Sequence, residues 1–162
     1  MMVIGIDVGL RTTGYVVCQV RSAQIELIDD GQIVTRSSQR LSERLHSIYA
    51  QLEKVIRSHS VEIMAIERLY SHYKHPATLG VLAQVRGIVV LLSHQYGLDL
   101  HEYSPTRARK AMLGAGNVRS AQVKRMGESM LKRKIRSQHI ADALSLVIAF
   151  SHYYKAQKFT AR

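Results

Sequence analysis

Val3-Ile4-Gly5-Ile6-Asp7 is an apolar run that ends on an acid, and Ile63-Met64-Ala65-Ile66-Glu67 has the same form later in the chain. Apolar runs of this length without clean alternation read as strands covered on both faces, the kind found inside a sheet flanked by helices. Outward from the first run, Gly9, Arg11 and Gly14 mark a turn. Tyr15 to Val20 and Gln24 to Thr35, with Asp29-Asp30-Gly31 between or within them, complete a meander of three strands. Leu41, Leu45, Ile48, Leu52, Val55 and Ile56 follow Ser37-Ser38 at a spacing that puts one apolar stripe on a helix. After Pro76 a mostly apolar helix runs to Tyr96, with Gly97 placed to stop it. Its small residues Gly80, Ala83 and Gly87 allow close approach by the sheet or by a second subunit. Leu98 to Tyr103 alternates as a strand, and Ser104-Pro105 reads as a cap followed by proline at the first helical position. Gly114-Ala115-Gly116 breaks the chain before a basic helix carrying Val123, Met126 and Met130. The last helix starts near Ser137, holds Ile140, Ala143, Leu144, Val147 and Phe150, and frays into a basic tail at about 155–162. This order predicts an α/β fold: a five-stranded mixed sheet with helices on both faces, its Ile63–Glu67 strand parallel to Val3–Asp7.

The chain has 162 residues, enough for one ordinary domain over 1–162 and too few for two large lobes. Hydrophobic residues at 46% allow a real core. Against 23 Lys and Arg stand 12 Asp and Glu, a formal net charge of +11 that points to a polyanionic partner. With no basic leader and no apolar run of about 18 residues, secretion and membrane spanning are not expected. The single cysteine, Cys18, fits a reducing cytoplasm and a small buried hydrophobe.

The acids carry the chemistry. If the two central strands are neighbours about 4.8 Å apart, Asp7 and Glu67 sit side by side at the end of a buried sheet. Two such carboxylates repel unless a proton or a divalent cation neutralises them. His139 and Asp142, three residues apart, share one helical face, and a helix packed on the strand ends would add Asp142 to the pair. Hard oxygen donors suit Mg²⁺ or Mn²⁺, and two such ions about 3.5–4 Å apart can activate a water and stabilise the leaving oxygen of a phosphodiester. Singly, each residue also fits a plainer role. Asp7 and Glu67 could be strand-end acids, Asp142 a first-turn acid favoured by the helix dipole, and His139 a capping or surface histidine.

Taken in order, Gly5-Ile6-Asp7-Val8-Gly9-Leu10-Arg11-Thr12-Thr13-Gly14-Tyr15, Ala65-Ile66-Glu67, Gln84-Val85-Arg86-Gly87, Gly114-Ala115-Gly116 and His139-Ile140-Ala141-Asp142-Ala143-Leu144 resemble the RuvC family of bacterial Holliday junction endonucleases. The resemblance covers nearly the whole chain. It implies a ribonuclease H-like fold, a homodimer, and Mg²⁺-dependent, symmetric nicking of two strands of like polarity at a four-way DNA junction in recombination and repair. Two ions per active site are implied, with Mn²⁺ able to substitute. Motif by motif, the catalytic and metal-holding residues would be Asp7, Glu67, His139 and Asp142. Many relatives carry aspartate where this chain has His139, which leaves that residue between metal ligand and proton-transfer group. A bacterial cytoplasmic, nucleoid-associated protein is implied, with branch-migration motor proteins as further partners and no membrane.

A DNA path follows. Tyr70, Tyr73 and Lys74 lie just after Glu67 on an expected loop where rings could stack on unpaired bases, worth about 1–3 kcal/mol per base. An aromatic at the Tyr70 position sits close to the junction core in the family. Arg107, Arg109 and Lys110 cluster after Pro105. Arg119, Lys124, Arg125, Lys132, Arg133, Lys134 and Arg136 add charge that should meet phosphates. Arg86 of the Gln-x-Arg-Gly segment joins them. Where many relatives place an acid-lysine pair after the Gly-x-Gly turn, this chain has Val118-Arg119-Ser120.

Three other readings fit less of the chain. Actin-like ATPases and sugar kinases share the Asp7-x-Gly9 opening but need two lobes. An RNA-processing nuclease of the YqgF type leaves the long helix with its Gln-x-Arg-Gly segment less well explained, and a non-catalytic junction-binding protein needs no acidic set.

Overall fold

A computed structural model of the chain describes residues 1–21, 24–69 and 76–160, apart from the side chains of 76 and 158–160, so Tyr70, Tyr73 and Lys74 lie outside the described residues. In chain order the elements are β1 (Met2–Asp7), β2 (Thr12–Arg21), β3 (Gln24–Val34), α1 (Leu41–Ser58), β4 (Ile63–Glu67), α2 (Pro76–Gln95), β5 (Asp99–Tyr103), α3 (Pro105–Leu113), α4 (Ser120–Leu131) and α5 (Gln138–Thr160). The sheet runs β3-β2-β1-β4-β5, with β1–β2 and β2–β3 antiparallel and β1–β4 and β4–β5 parallel. This is the mixed five-stranded sheet expected from the order of elements.

Alternation along the strands sorts the core into two layers. Ile4, Ile6, Val17, Met64 and Ile66 face α1 and α2, where Ile48, Leu52, Ile56, Val85, Val89 and Leu92 cover them. Val3, Val16, Cys18 and Ala65 face the other way, against Ile140, Leu144 and Val147 of α5, with α3 and α4 closing that layer. Each large aliphatic side chain so buried contributes about 1.5–3 kcal/mol. Cys18 is part of this second layer, and burial pushes its thiol up to about 12.

Helix α5 reaches the sheet through two glycines. A Cβ on Gly5 would lie 2.3 Å from the Ala143 carbonyl oxygen, and one on Gly14 would lie 2.4 Å from the His139 carbonyl carbon. Gly14 therefore belongs to β2 and to helix packing, which corrects its reading as a turn residue. The caps expected around Pro105 and Gly97 are present: the Ser104 hydroxyl accepts from the Arg107 N–H at 3.1 Å, and Gly97 ends α2 at φ 61°.

Four further expectations change. Among the described residues a Cβ on Gly80 or Gly87 would meet nothing within 4 Å, so these small residues do not pack on the sheet. Ala77–Gln95 has a mean hydropathy of 1.5 and is long and apolar enough to cross a membrane, contrary to the expectation that no such stretch exists. Met130 is exposed and stands off the apolar stripe of α4. The stretch expected to fray continues as helix to Thr160.

Candidate active site

The parallel register of β1 and β4 sets Ile6 opposite Ile66, so the next residues, Asp7 and Glu67, end the two strands side by side. The Arg68 N–H donates to the Tyr103 carbonyl at 2.8 Å, which fixes the end of β4 against β5. After Asp7 the chain turns sharply, and the buried Thr13 hydroxyl donates to the Gly9 carbonyl at 2.6 Å. The two carboxylates thus stand on strand ends held by backbone and buried side-chain bonds.

The first turns of α5 complete the group. His139 Nδ1 lies 2.6 Å from Asp7 Oδ2, a contact that joins the two ends of the chain. Asp142 follows one turn on, and the Gln138 side-chain amide donates to its Oδ2 at 3.2 Å. The approach is possible because Gly14, directly opposite Asp7 in the β1–β2 register, leaves the room that α5 occupies.

The electrostatics are those of crowded acids. Burial pushes the Glu67 carboxyl up to about 7, the charges of Asp7 and Asp142 push it the same way, and the Arg109 guanidinium opposes them. Asp142 is raised by burial and by Asp7, against the Gln138 hydrogen bond and the charges of Arg109 and His139. The hydrogen bond to Asp7 raises the His139 imidazole, with desolvation opposing. Among the described residues no three of these groups already stand in an arrangement that would hold a metal ion. The donor set nonetheless suits a hard divalent cation. Three carboxylates and one imidazole are gathered at one place, and Glu67, raised first by burial and then by its acidic neighbours, is a group whose charge a cation would stabilise.

The expected DNA-contacting residues separate into distinct environments. Arg109 is the cation whose field reaches both Glu67 and Asp142, and its guanidinium donates to the Val118 carbonyl at 3.3 Å and lies 3.5 Å from the Ser120 hydroxyl. Arg107 is exposed, with its guanidinium carbon 5.5 Å from the centre of the Tyr103 ring. Lys110 and Arg119 are exposed and Lys124 is partly buried. Arg133, expected to meet phosphate, is ion-paired with buried Asp30.

Beside the carboxylates lies a cleft of about 80 Å³ lined by Asp7, Val8, Glu67, Arg68, Leu69, Leu82 and Arg86. Arg86 is ion-paired with Glu102 of β5, and Arg68 Nε stands 3.8 Å from the same carboxylate. Sequence reasoning placed Arg86 near DNA but passed over Glu102. The signal was there, because a lone cation in an otherwise uncharged helix calls for an acid on the facing strand.

The model of the family described as crossover junction endodeoxyribonuclease RuvC matches residues 3–152. A crossover junction endodeoxyribonuclease RuvC of Parvibaculum lavamentivorans is 36% identical over 150 residues, 92% of this chain and 85% of that one. Its counterpart from Rhodopirellula baltica is 34% identical over 153 residues, 93% and 85%. Among solved structures, Thermus thermophilus RuvC in complex with a Holliday junction substrate superposes with a TM-score of 0.86 at 23% identity, covering 96% of both chains. The yeast mitochondrial Holliday junction resolvase Ydc2 superposes at 0.63 with 12% identity, covering 97% and 85%. The ribonuclease H-like fold implied by the motifs is the fold these likenesses show.

Proposed function

The chain belongs to the crossover junction endodeoxyribonuclease RuvC family, and from that premise we propose that it is a metal-dependent endonuclease resolving four-way DNA junctions by symmetric nicking of two strands of like polarity. The observation that carries the reading is the gathering of Asp7, Glu67, His139 and Asp142 at one end of the sheet. These four would hold the metal, Mg²⁺ with Mn²⁺ able to substitute, two ions per site. When bound, it supplies Lewis acidity toward the phosphodiester and the attacking water.

The protein's own groups do the rest. Asp7 and Glu67, fixed on strand ends, keep the oxygen donors in place. His139, whose Nδ1 lies 2.6 Å from Asp7 Oδ2, would serve either as a ligand to the metal or as the group that passes a proton. In the hydrolysis the water oxygen joins phosphorus, the bond to the leaving strand end breaks, and the leaving oxygen takes a proton. Arg109 sits where it can offset charge that develops beside Glu67 and Asp142, while Arg107, Lys110, Arg119 and Lys124 supply phosphate contacts. Tyr70, Tyr73 and Lys74 are proposed to meet the unpaired junction centre.

A two-fold junction asks for two coordinated sites, so the working unit is a homodimer of this single nuclease domain. The outward face of α2, with Gly80 and Gly87 open and Leu91 48% exposed, supports a second copy packing there. Branch-migration motor proteins would act on the same junction in the bacterial cytoplasm.

The test offers labelled four-way junctions, linear duplexes and structured RNA with and without Mg²⁺ or Mn²⁺. Paired nicks in the junction alone, lost in Asp7→Asn, are expected. Equal cutting of linear duplex, cutting of RNA only, or junction binding with no metal-stimulated nicking would overturn the reading.

A further inference from the structure

Helix α2 reads PATLGVLAQVRGIVVLLSHQ, and Arg86 is its one Asp, Glu, Lys or Arg. A cation at the centre of so apolar a helix is costly unless it is paired or used. Arg86 is turned inward, its side chain only 24% exposed, and it forms part of the cleft wall that also includes Asp7 and Glu67.

Its bonding is incomplete. The guanidinium presents five donors in a planar fork. One terminal nitrogen is taken by Glu102, while Nε is buried and has no partner among the described residues. A buried donor left unmade costs about 1–3 kcal/mol, and such orphans call for an explanation in what the site binds. Arg68 and Arg86 share the single carboxylate of Glu102, which leaves their fork donors only partly engaged beside the Asp7 and Glu67 carboxylates of the same cleft. A cleft of about 80 Å³ has room for a phosphate group.

We propose that Arg86 is a substrate-contacting residue, a guanidinium aimed by Glu102 that grips a phosphate of the strand being cut, next to the Asp7–Glu67 pair. The proposal rests on the nuclease reading and adds to it a fixed cation on the α2 side of the cleft, opposite the Arg109 side. Glu102 is then a positioning residue: it leaves Arg86 charged, holds one end of the fork and directs the other.

The experiment measures single-turnover nicking at saturating protein, junction affinity in EDTA, and thermal melting for wild type, Arg86→Gln, Arg86→Lys and Glu102→Gln. Junctions carry one methylphosphonate, at the cut phosphate or at either neighbour. Arg86→Gln is expected to slow nicking about 100-fold, the scale of losing one preorganised donor, with affinity within about threefold. Arg86→Lys should recover little because the fork is lost, and Glu102→Gln should cost about tenfold. At one of the three positions the methylphosphonate should slow wild type strongly and Arg86→Gln hardly further, a non-additivity that a mere brace between α2 and β5 would not produce. Additive losses at all three positions, or Arg86→Gln nicking within about threefold of wild type, would overturn the proposal. Wild-type protein that nicks no junction would instead overturn the nuclease reading.

Discussion

Gly14 of β2 lies directly beneath His139 of α5: a Cβ there would stand 2.4 Å from the His139 carbonyl carbon and 2.6 Å from its Cβ. The missing side chain is what lets the first turn of α5 drop onto the strand ends, where His139 meets Asp7. One hydrogen atom in place of a methyl group thus sets the spacing of the candidate site.

Gly14→Ala should lift or tilt the start of α5. Overpacking of this kind costs about 1–3 kcal/mol, and displacement of two of the four site residues should lower nicking by about tenfold or more. Melting curves and single-turnover rates check both. Nicking at wild-type rate would show that the close approach is not needed.

Glu67 makes the protein's stability depend on pH. Its folded pKa is raised from 4.5 to about 7, so above 4.5 the folded state binds more protons than the unfolded one. Its contribution is therefore fully present below about pH 4.5 and lost as pH rises through about 7. In EDTA, wild type should lose stability across this window, while Glu67→Gln should show a flatter profile and a higher melting temperature at pH 8. Mg²⁺ should restore wild type more at pH 8 than at pH 5. Parallel profiles for wild type and Glu67→Gln would count against the buried, crowded carboxylate.

The hydrogen bond to Asp7 raises His139 from its ordinary value, so a cation that takes the imidazole competes with a proton. Activity and Mn²⁺ affinity should fall as pH drops through the His139 titration, which the Asp7 hydrogen bond moves upward, and Mn²⁺ uptake should release protons. His139→Asp should move the acid limb to lower pH. An unchanged acid limb would remove His139 from the ligand set.

Arg133 and the pair Arg107 and Lys110 should behave oppositely. Arg133→Ala leaves buried Asp30 without its ion-pair partner and should cost about 1–3 kcal/mol of stability, with the salt dependence of junction binding intact. Arg107→Ala and Lys110→Ala should each lower the slope of log affinity against log salt by about 1 at unchanged melting temperature. A reduced slope in Arg133→Ala would return that residue to the DNA path.

What was legible in the chain follows the range of each interaction. β1 and β4 could be read because a buried central strand carries its own apolar signature, and a parallel pair with acids at both ends then follows from the crossover rule. The α3 cap could be read because Ser104, Pro105 and Arg107 are local to one another. Gly14 was misread because its reason lies in a helix far along the chain. Gly80 and Gly87 were ambiguous because small residues mark a close approach without saying which partner makes it. Arg133 looked like one cation in a basic run until the fold brought Asp30 against it. Of the candidate site, Asp7, Glu67, His139 and Asp142 stood in motifs, while Glu102 needed the β4–β5 register to meet Arg86.

The Asp7–His139 contact spans 132 positions. A ribosome delivers Asp7 and Glu67 well before His139 and Asp142, so a polypeptide cut short between them carries two acids without their partners on α5. Assembly of the candidate site is thereby postponed to the docking of α5 onto the sheet.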